Sequence, residues 1–261
     1  MLQLIYLVMM ALCLIPWAHA SDIGQSNQET LENASLSQTP IIFSPTIQGF
    51  TQATQRSDGA VVATGRVEGT GIIYAENVII EDSLSPGHSP GCISFSGNVT
   101  LSVTSTLVTE IGGYTVCTKF DHIDVANQLT INSATLEVVL INGFEPVYRD
   151  RFDIMDWGSI SGTFGTIDAS AATLSYPLIW DTTQLYLTGE LIVDVEHIAD
   201  GDLAPWNAPD GQVNAADVLI ATQLTLGMRT PGAFQYAHGD MNLDDVIDIA
   251  DLLLIQQTVL K

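Results

Sequence analysis

Asp240-Met-Asn-Leu-Asp-Asp-Val-Ile-Asp-Ile-Ala-Asp251, close to the C-terminus, is the one stretch whose spacing dictates a chemistry. With Asp240 as position 1, side chains bearing oxygen recur at positions 1, 3, 5, 9 and 12: Asp240, Asn242, Asp244, Asp248 and Asp251. Calcium takes six to eight hard oxygen ligands, and a loop that supplies them uses these positions together with a backbone carbonyl at position 7, here Val246. Ile247, at position 8, is expected to point inward and to meet its counterpart in a neighbouring loop. Position 6 is ordinarily Gly because the backbone turns there with positive φ. Asp245 stands in its place, and Asp tolerates that region better than most residues. An acidic turn before a helix is the plainer reading. Five oxygen side chains in register followed by an apolar helical run favour the metal loop.

A second, irregular copy lies upstream. Asp210, Gly211, Gln212, Val213, Asn214 and Asp217 match positions 5 to 9 and 12, with Gln212 offering the backbone carbonyl, Gly at position 6 and Val at position 8. Counting back from Asp210 places Trp206 and Ala208 at positions 1 and 3, where neither offers a side-chain oxygen. Asp202 becomes position 1 only if Ala204-Pro205-Trp206-Asn207 is a local insertion, with Asn207 or a carbonyl near Ala208 at position 3. The sequence thus carries one complete calcium site and a second, incomplete one.

Each loop runs into an apolar stretch expected to be helical, Val218 to Leu226 before Gly227 and Leu252 to Leu260. Pro205, Pro209, Pro231 and Gly232 argue against helices entering the loops. Two loop-then-helix units of this EF-hand-type kind, without incoming helices, resemble the type I dockerin module over about residues 200 to 261. The resemblance implies a small all-α domain with two calcium loop-helix repeats, packed with approximate two-fold symmetry, that docks to a cohesin-type protein or another cell-surface protein. It also implies that positions 10 and 11 meet the partner, here Ala215 and Ala216 in the first repeat and Ile249 and Ala250 in the second. All four lack the hydroxyl that many dockerins present.

Seven Lys and Arg stand against thirty Asp and Glu in 261 residues, a formal net charge of -23. Such a surface repels the phosphates of nucleic acids and anionic membranes. Charged residues are only 14% of the chain, while Thr, Ser, Gly, Val and Ile abound, as in secreted β-proteins. Residues 1 to 20 form an apolar run closing on Ala18-His19-Ala20, which reads as a signal peptide despite lacking a basic start. A short retained anchor is the alternative, and nothing after Ala20 is apolar enough to span a membrane. Export would leave Cys92 and Cys117, either paired in an oxidising compartment or as separate thiols. No zinc-type Cys/His spacing is present.

Residues 21 to 58 read as a polar leader, partly disordered. Residues 59 to 197 alternate short strand patterns, among them 71–75, 77–81, 93–96, 99–103, 122–125, 129–131, 135–140 and 185–189, with Gly, Asn and Pro. This fits either a sandwich or a β-solenoid. Ser85-Pro-Gly-His-Ser-Pro-Gly91, Phe120-Asp-His-Ile-Asp-Val125, Ala134 to Gly143, Phe152-Asp-Ile, Ser161-Gly-Thr-Phe164 and Trp180 to Tyr186 resemble secreted bacterial proteins with autotransporter-like or PEP-CTERM-associated β-solenoids. That resemblance implies a mainly β chain built as a β-solenoid, and it implies export but no activity. Dockerins also accompany carbohydrate-active enzymes and carbohydrate-binding proteins, so polysaccharide is the rival ligand. Asp121, Asp124, Asp150, Asp153 and Asp156 are the acids from which a glycosidase pair would be drawn, and a turn leading into a strand is the plainer reading of the last three. No nucleophile elbow and no zinc-protease motif appears. The expectation is an exported, non-catalytic structural or adhesive protein.

Overall fold

Val, Ile and Thr at alternate positions, interrupted every few residues by Gly, Asn or Ser, favour short strands over helices. In the computed structural model, which describes residues 42–43, 47–48 and 53–261, these runs form eighteen strands. The first nine are β1 (Ile42–Phe43), β2 (Ile47–Gln48), β3 (Ala53–Gln55), β4 (Val61–Ala63), β5 (Val67–Gly69), β6 (Gly71–Tyr74), β7 (Asn77–Ile80), β8 (Ser83–Pro86) and β9 (Cys92–Phe95). The second nine are β10 (Asn98–Leu101), β11 (Thr106–Ile111), β12 (His122–Asn132), β13 (Thr135–Leu140), β14 (Arg151–Asp153), β15 (Met155–Thr163), β16 (Thr166–Ala171), β17 (Leu178–Asp181) and β18 (Glu190–Val195). The signal peptide and most of the polar leader expected from the sequence lie outside the described residues.

Two mixed sheets face each other. One runs β1-β6-β9-β12-β10-β7-β4-β3 with β15 added beside β12, and the other runs β16-β13-β11-β8-β5-β2. Their central strands are parallel and in register, so like side chains lie abreast. Val61, Val78, Val99, Leu129 and Ile160 form one row, and Val67, Leu84, Leu107, Leu136 and Ile167 form the row opposite. All but the two isoleucines at the row ends are buried. Each such aliphatic side chain removed from water contributes roughly 1.5–3 kcal/mol, and these rows are the core.

The chain is mainly β, but the expected β-solenoid is not what forms. A solenoid needs coils of constant length, whereas the residues of the first row are 17, 21, 30 and 31 apart in sequence. The single long strand β12 pairs with both β9 and β10, which fuses two rows of strands that coils would keep apart. The outermost strands β1, β2 and β3 pair antiparallel. The result is a curled half-barrel of mixed sheets. Residues 185–189 are also not a strand. Leu185, Leu187 and Thr188 bond back to the carbonyls of Thr182 and Gln184 as turns, with the Leu185 side chain buried.

A separate antiparallel sheet, β14-β18-β17, joins the half-barrel through aromatic contacts. Phe152 is buried, and its ring lies 5.7 Å from Phe120, 6.1 Å from Phe144 and 6.0 Å from Trp180, close to edge-on to each. Edge-to-face packing suits the ring quadrupoles. Three helices follow: α1 (Ala215–Thr225), α2 (Ala233–Gly239) and α3 (Ile249–Val259). Helices α1 and α3 close over a second apolar cluster of Leu203, Ala221, Leu224, Leu252 and Ile255, against which Val213 and Ile247 pack. Both expected helices form and begin three residues earlier than their apolar runs, because the loop residues Asn214 and Asp248 act as N-caps. Helix α2 was not expected. Among the described residues no helix is long and apolar enough to cross a membrane.

Cys92 and Cys117 are bonded, with Cα atoms 4.9 Å apart. Nearby, the buried Asp121 accepts hydrogen bonds from the backbone N–H groups of Gly91 (2.7 Å) and Glu110 (2.9 Å), so one corner of the half-barrel is held twice. Breaking the disulfide by Cys92→Ser with Cys117→Ser frees a loop of 25 residues. A loss of about 3.5 kcal/mol on chain entropy is expected, read from the urea midpoint with and without reductant.

Burial, offset in part by the two backbone donors and reinforced by the charge of Glu110, pushes the Asp121 carboxyl up from 3.8 to about 7. A carboxyl that holds its proton more tightly in the folded chain contributes stability below its ordinary value, and that contribution is lost as pH rises towards about 7. Asp121→Asn cannot ionise, so it is expected to gain stability relative to wild type as pH is raised from 4 to 7. Urea midpoints of the two proteins across that range check the sign.

Candidate metal centre

The C-terminal loops are built around buried carboxylates that organise backbone N–H groups. Asp240 is the C-cap of α2 and wholly buried. One of its oxygens accepts from the Asp244 N–H at 3.1 Å, the other from the Asp245 N–H at 2.9 Å. Asp251, also wholly buried, accepts from the N–H groups of Met241 (2.8 Å) and Asn242 (3.3 Å) on one oxygen and Asp248 (2.9 Å) on the other. Asp251 is at the same time the N3 residue of α3 and Asp248 its N-cap, so positions 9 and 12 of the loop form the capping box of the helix that follows.

Between these anchors the chain turns sharply, with Leu243 at φ +61° and Asp245 at φ +65°. Position 6 therefore does have the left-handed backbone that the spacing requires. Asn242 donates to Asp244 Oδ2 at 2.8 Å, and Asp244 Oδ1 accepts from the Val246 N–H at 3.0 Å. Carboxylate oxygens of Asp240, Asp244 and Asp251 lie within 4.8 Å of one another. Three carboxylates this close repel, and a divalent cation offsets the repulsion.

The first loop repeats the scheme atom for atom in its anchors. Asp202 accepts from the N–H groups of Asp210 (3.3 Å) and Gly211 (2.5 Å), as Asp240 does from Asp244 and Asp245. Asp217 accepts from Leu203 and Ala204 (both 2.7 Å) on one oxygen and from Asn214 (2.7 Å) on the other, and with Asn214 it caps α1. These equivalences put Asp202 at position 1 and Asp217 at position 12, with four extra residues between Asp202 and Asp210. Ala204 falls at position 3. Asn207 turns to α2 instead, accepting from Gln235 Nε2 at 3.2 Å. Gln212 contributes only its backbone. Asp202, Asp210 and Asp217 are not among the carboxylate groups that converge in the described residues.

The other converging group is His122, Asp153 and Asp156, with His122 Nε2 3.4 Å from Asp156 and 4.0 Å from Asp153. His122 begins β12, Asp156 lies on the adjoining β15 opposite Asp124, and Asp153 ends β14. Burial raises the Asp153 carboxyl, the charge of Asp156 adds to this and His122 opposes it. An open cleft of about 480 Å³ lies nearby, lined by Tyr148, Arg149, Arg151, Asp181 and Asp194 among others, and includes neither Asp153 nor Asp156.

The sequence reading missed α2 because Pro231 and Gly232 look like breakers. They are instead the start of the helix, where Gln235 Oε1 accepts from the Gly232 N–H at 3.0 Å. The spacing of Gly232 and Gln235 is a capping signal that could have found it. Helix α2 brings Tyr236 within 4.9 Å of Tyr148, Phe234 within 5.7 Å of Tyr176, and His238 within 2.8 Å of Asp200. Comparison with family models, with curated proteins and with solved structures returned no match.

Because Asp251 holds three backbone donors in a buried place, Asp251→Ala is expected to cost roughly 3 kcal/mol, about 1 for each lost bond. The loss should appear in the thermal unfolding of helical ellipticity with chelator present. The exposed Asp244, whose removal leaves the Asn242 amide and the Val246 N–H to bond with water, should cost far less.

Proposed function

We propose that this is an exported, non-catalytic structural or adhesive protein whose dockerin-like C-terminal module binds Ca2+ and docks to a cohesin-type or other surface partner. The convergence of Asp240, Asp244 and Asp251 around one point carries the reading. The donor set is all oxygen, which suits a hard cation and disfavours soft transition metals. Asn242, the Val246 carbonyl and Asp248 stand at the remaining ligand positions. The incomplete first loop, with Ala204 at position 3, makes the second loop the principal site. Support for docking comes from Ala215, Ala216, Ile249 and Ala250, all exposed, and from Leu219 and Leu253 on the outer faces of α1 and α3.

Calcium titration of the full chain tests the metal. Saturation at 100 times the dissociation constant is expected to raise stability by about 2.7 kcal/mol, reversed by chelator and reduced by Asp244→Ala. No calorimetric heat and no thermal shift at about 10 mM calcium, above the range that extracellular modules need, overturns the assignment. For docking, exported proteins are captured on wild type and on Ile249→Asp. A partner held only with calcium and lost in the variant supports docking, whereas release of oligosaccharides from a polysaccharide panel would overturn the non-catalytic reading.

A further inference from the structure

The second loop is not held by its own residues alone. Arg149, in the turn between β13 and β14, donates from Nη2 to the backbone carbonyl of Asp245 at 3.0 Å, across 96 residues of sequence. Its own N–H donates to the Val193 carbonyl of β18 at 2.8 Å, which fixes it to the antiparallel sheet. Its guanidinium lies 4.8 Å from the centre of the Tyr236 ring of α2 and 5.1 Å from that of Tyr148. A planar cation stacked on two rings is oriented before it donates, so little further side-chain freedom is lost in forming the bond.

The acceptor of this bond is the residue that departs from the loop pattern. Asp245 adopts φ +65° at position 6, where the first loop has Gly211 at φ +78°. A side chain in this region costs energy that Gly does not. We propose that Arg149 is a positioning residue for the second loop, holding the strained turn before the Val246 carbonyl, so that cation binding there and attachment of the helices to the β-sheets form one linked equilibrium. The inference rests on the calcium reading above. Linkage is reciprocal: what Arg149 contributes to cation affinity, the cation returns to the contact between α2 and the sheets.

The test uses the full chain and calcium alone as ligand. Arg149→Ala is expected to weaken calcium binding by about three- to tenfold, the scale of one partly exposed charge-assisted hydrogen bond. Arg149→Lys keeps the charge without the planar stack and should fall between. Arg151→Gln, which removes a cation paired with Glu190 at 3.1 Å, should leave affinity unchanged. Adding Asp245→Gly to Arg149→Ala should restore most of the affinity, a rescue that general destabilisation would not produce. In limited proteolysis, calcium should protect residues 196–201 in wild type and less so in Arg149→Ala. Equal affinity and equal protection in wild type and both Arg149 variants overturns the inference while leaving the calcium site intact. A wild-type chain that takes up no calcium overturns both.

Discussion

Side chains that lie abreast in a parallel sheet must be similar in size, or the strands cannot keep their 4.8 Å spacing while filling the space behind them. The rows beginning at Val61 and Val67 meet this constraint with Val, Leu and Ile at every step. Everything variable is therefore pushed into the connections. The rows stay in register while the chain between them lengthens from 17 to 31 residues, and the longer connections carry the turn that holds Arg149. Phe152, packed against Phe120, then attaches the antiparallel sheet to the rows.

Most strands are legible in the sequence because alternation of buried and exposed residues is a local pattern. Thr135 to Leu140 is read without error. What local pattern does not encode is which strands lie abreast, and so the change in step that separates a half-barrel from a solenoid is invisible until the register is known. The join across Ala126 and Asn127, where β12 shifts register against β15 yet continues, is invisible for the same reason. In the C-terminal loops the spacing of the acidic residues is itself local, which makes the positions of Asp240 to Asp251 readable. The role of Asp202 depends on an insertion that only the hydrogen bonds of Asp210 and Gly211 identify. Arg149 has no local signal at all, since its partner is 96 residues away.

The same carboxylates serve the helices and the loops. Asp217 and Asp251 cap α1 and α3 while gathering the N–H groups of the residues that follow position 1. A helix start and a loop are thereby made from one set of atoms, and neither can change shape without the other. That explains why the two repeats keep identical anchors although the first has lost the side-chain oxygen at position 3.

The way α2 is seated also determines how the protein bears force. Ile198 and Ala199 donate to the Ala237 carbonyl just beyond the end of β18, and β18 is bonded along both edges, to β14 and to β17. The chain runs from β18 through residues 196–201 into the loops and helices, so tension delivered through the C-terminal helices reaches the β-sheets by way of β18, whose ladders to β14 and β17 divide the load between two neighbours.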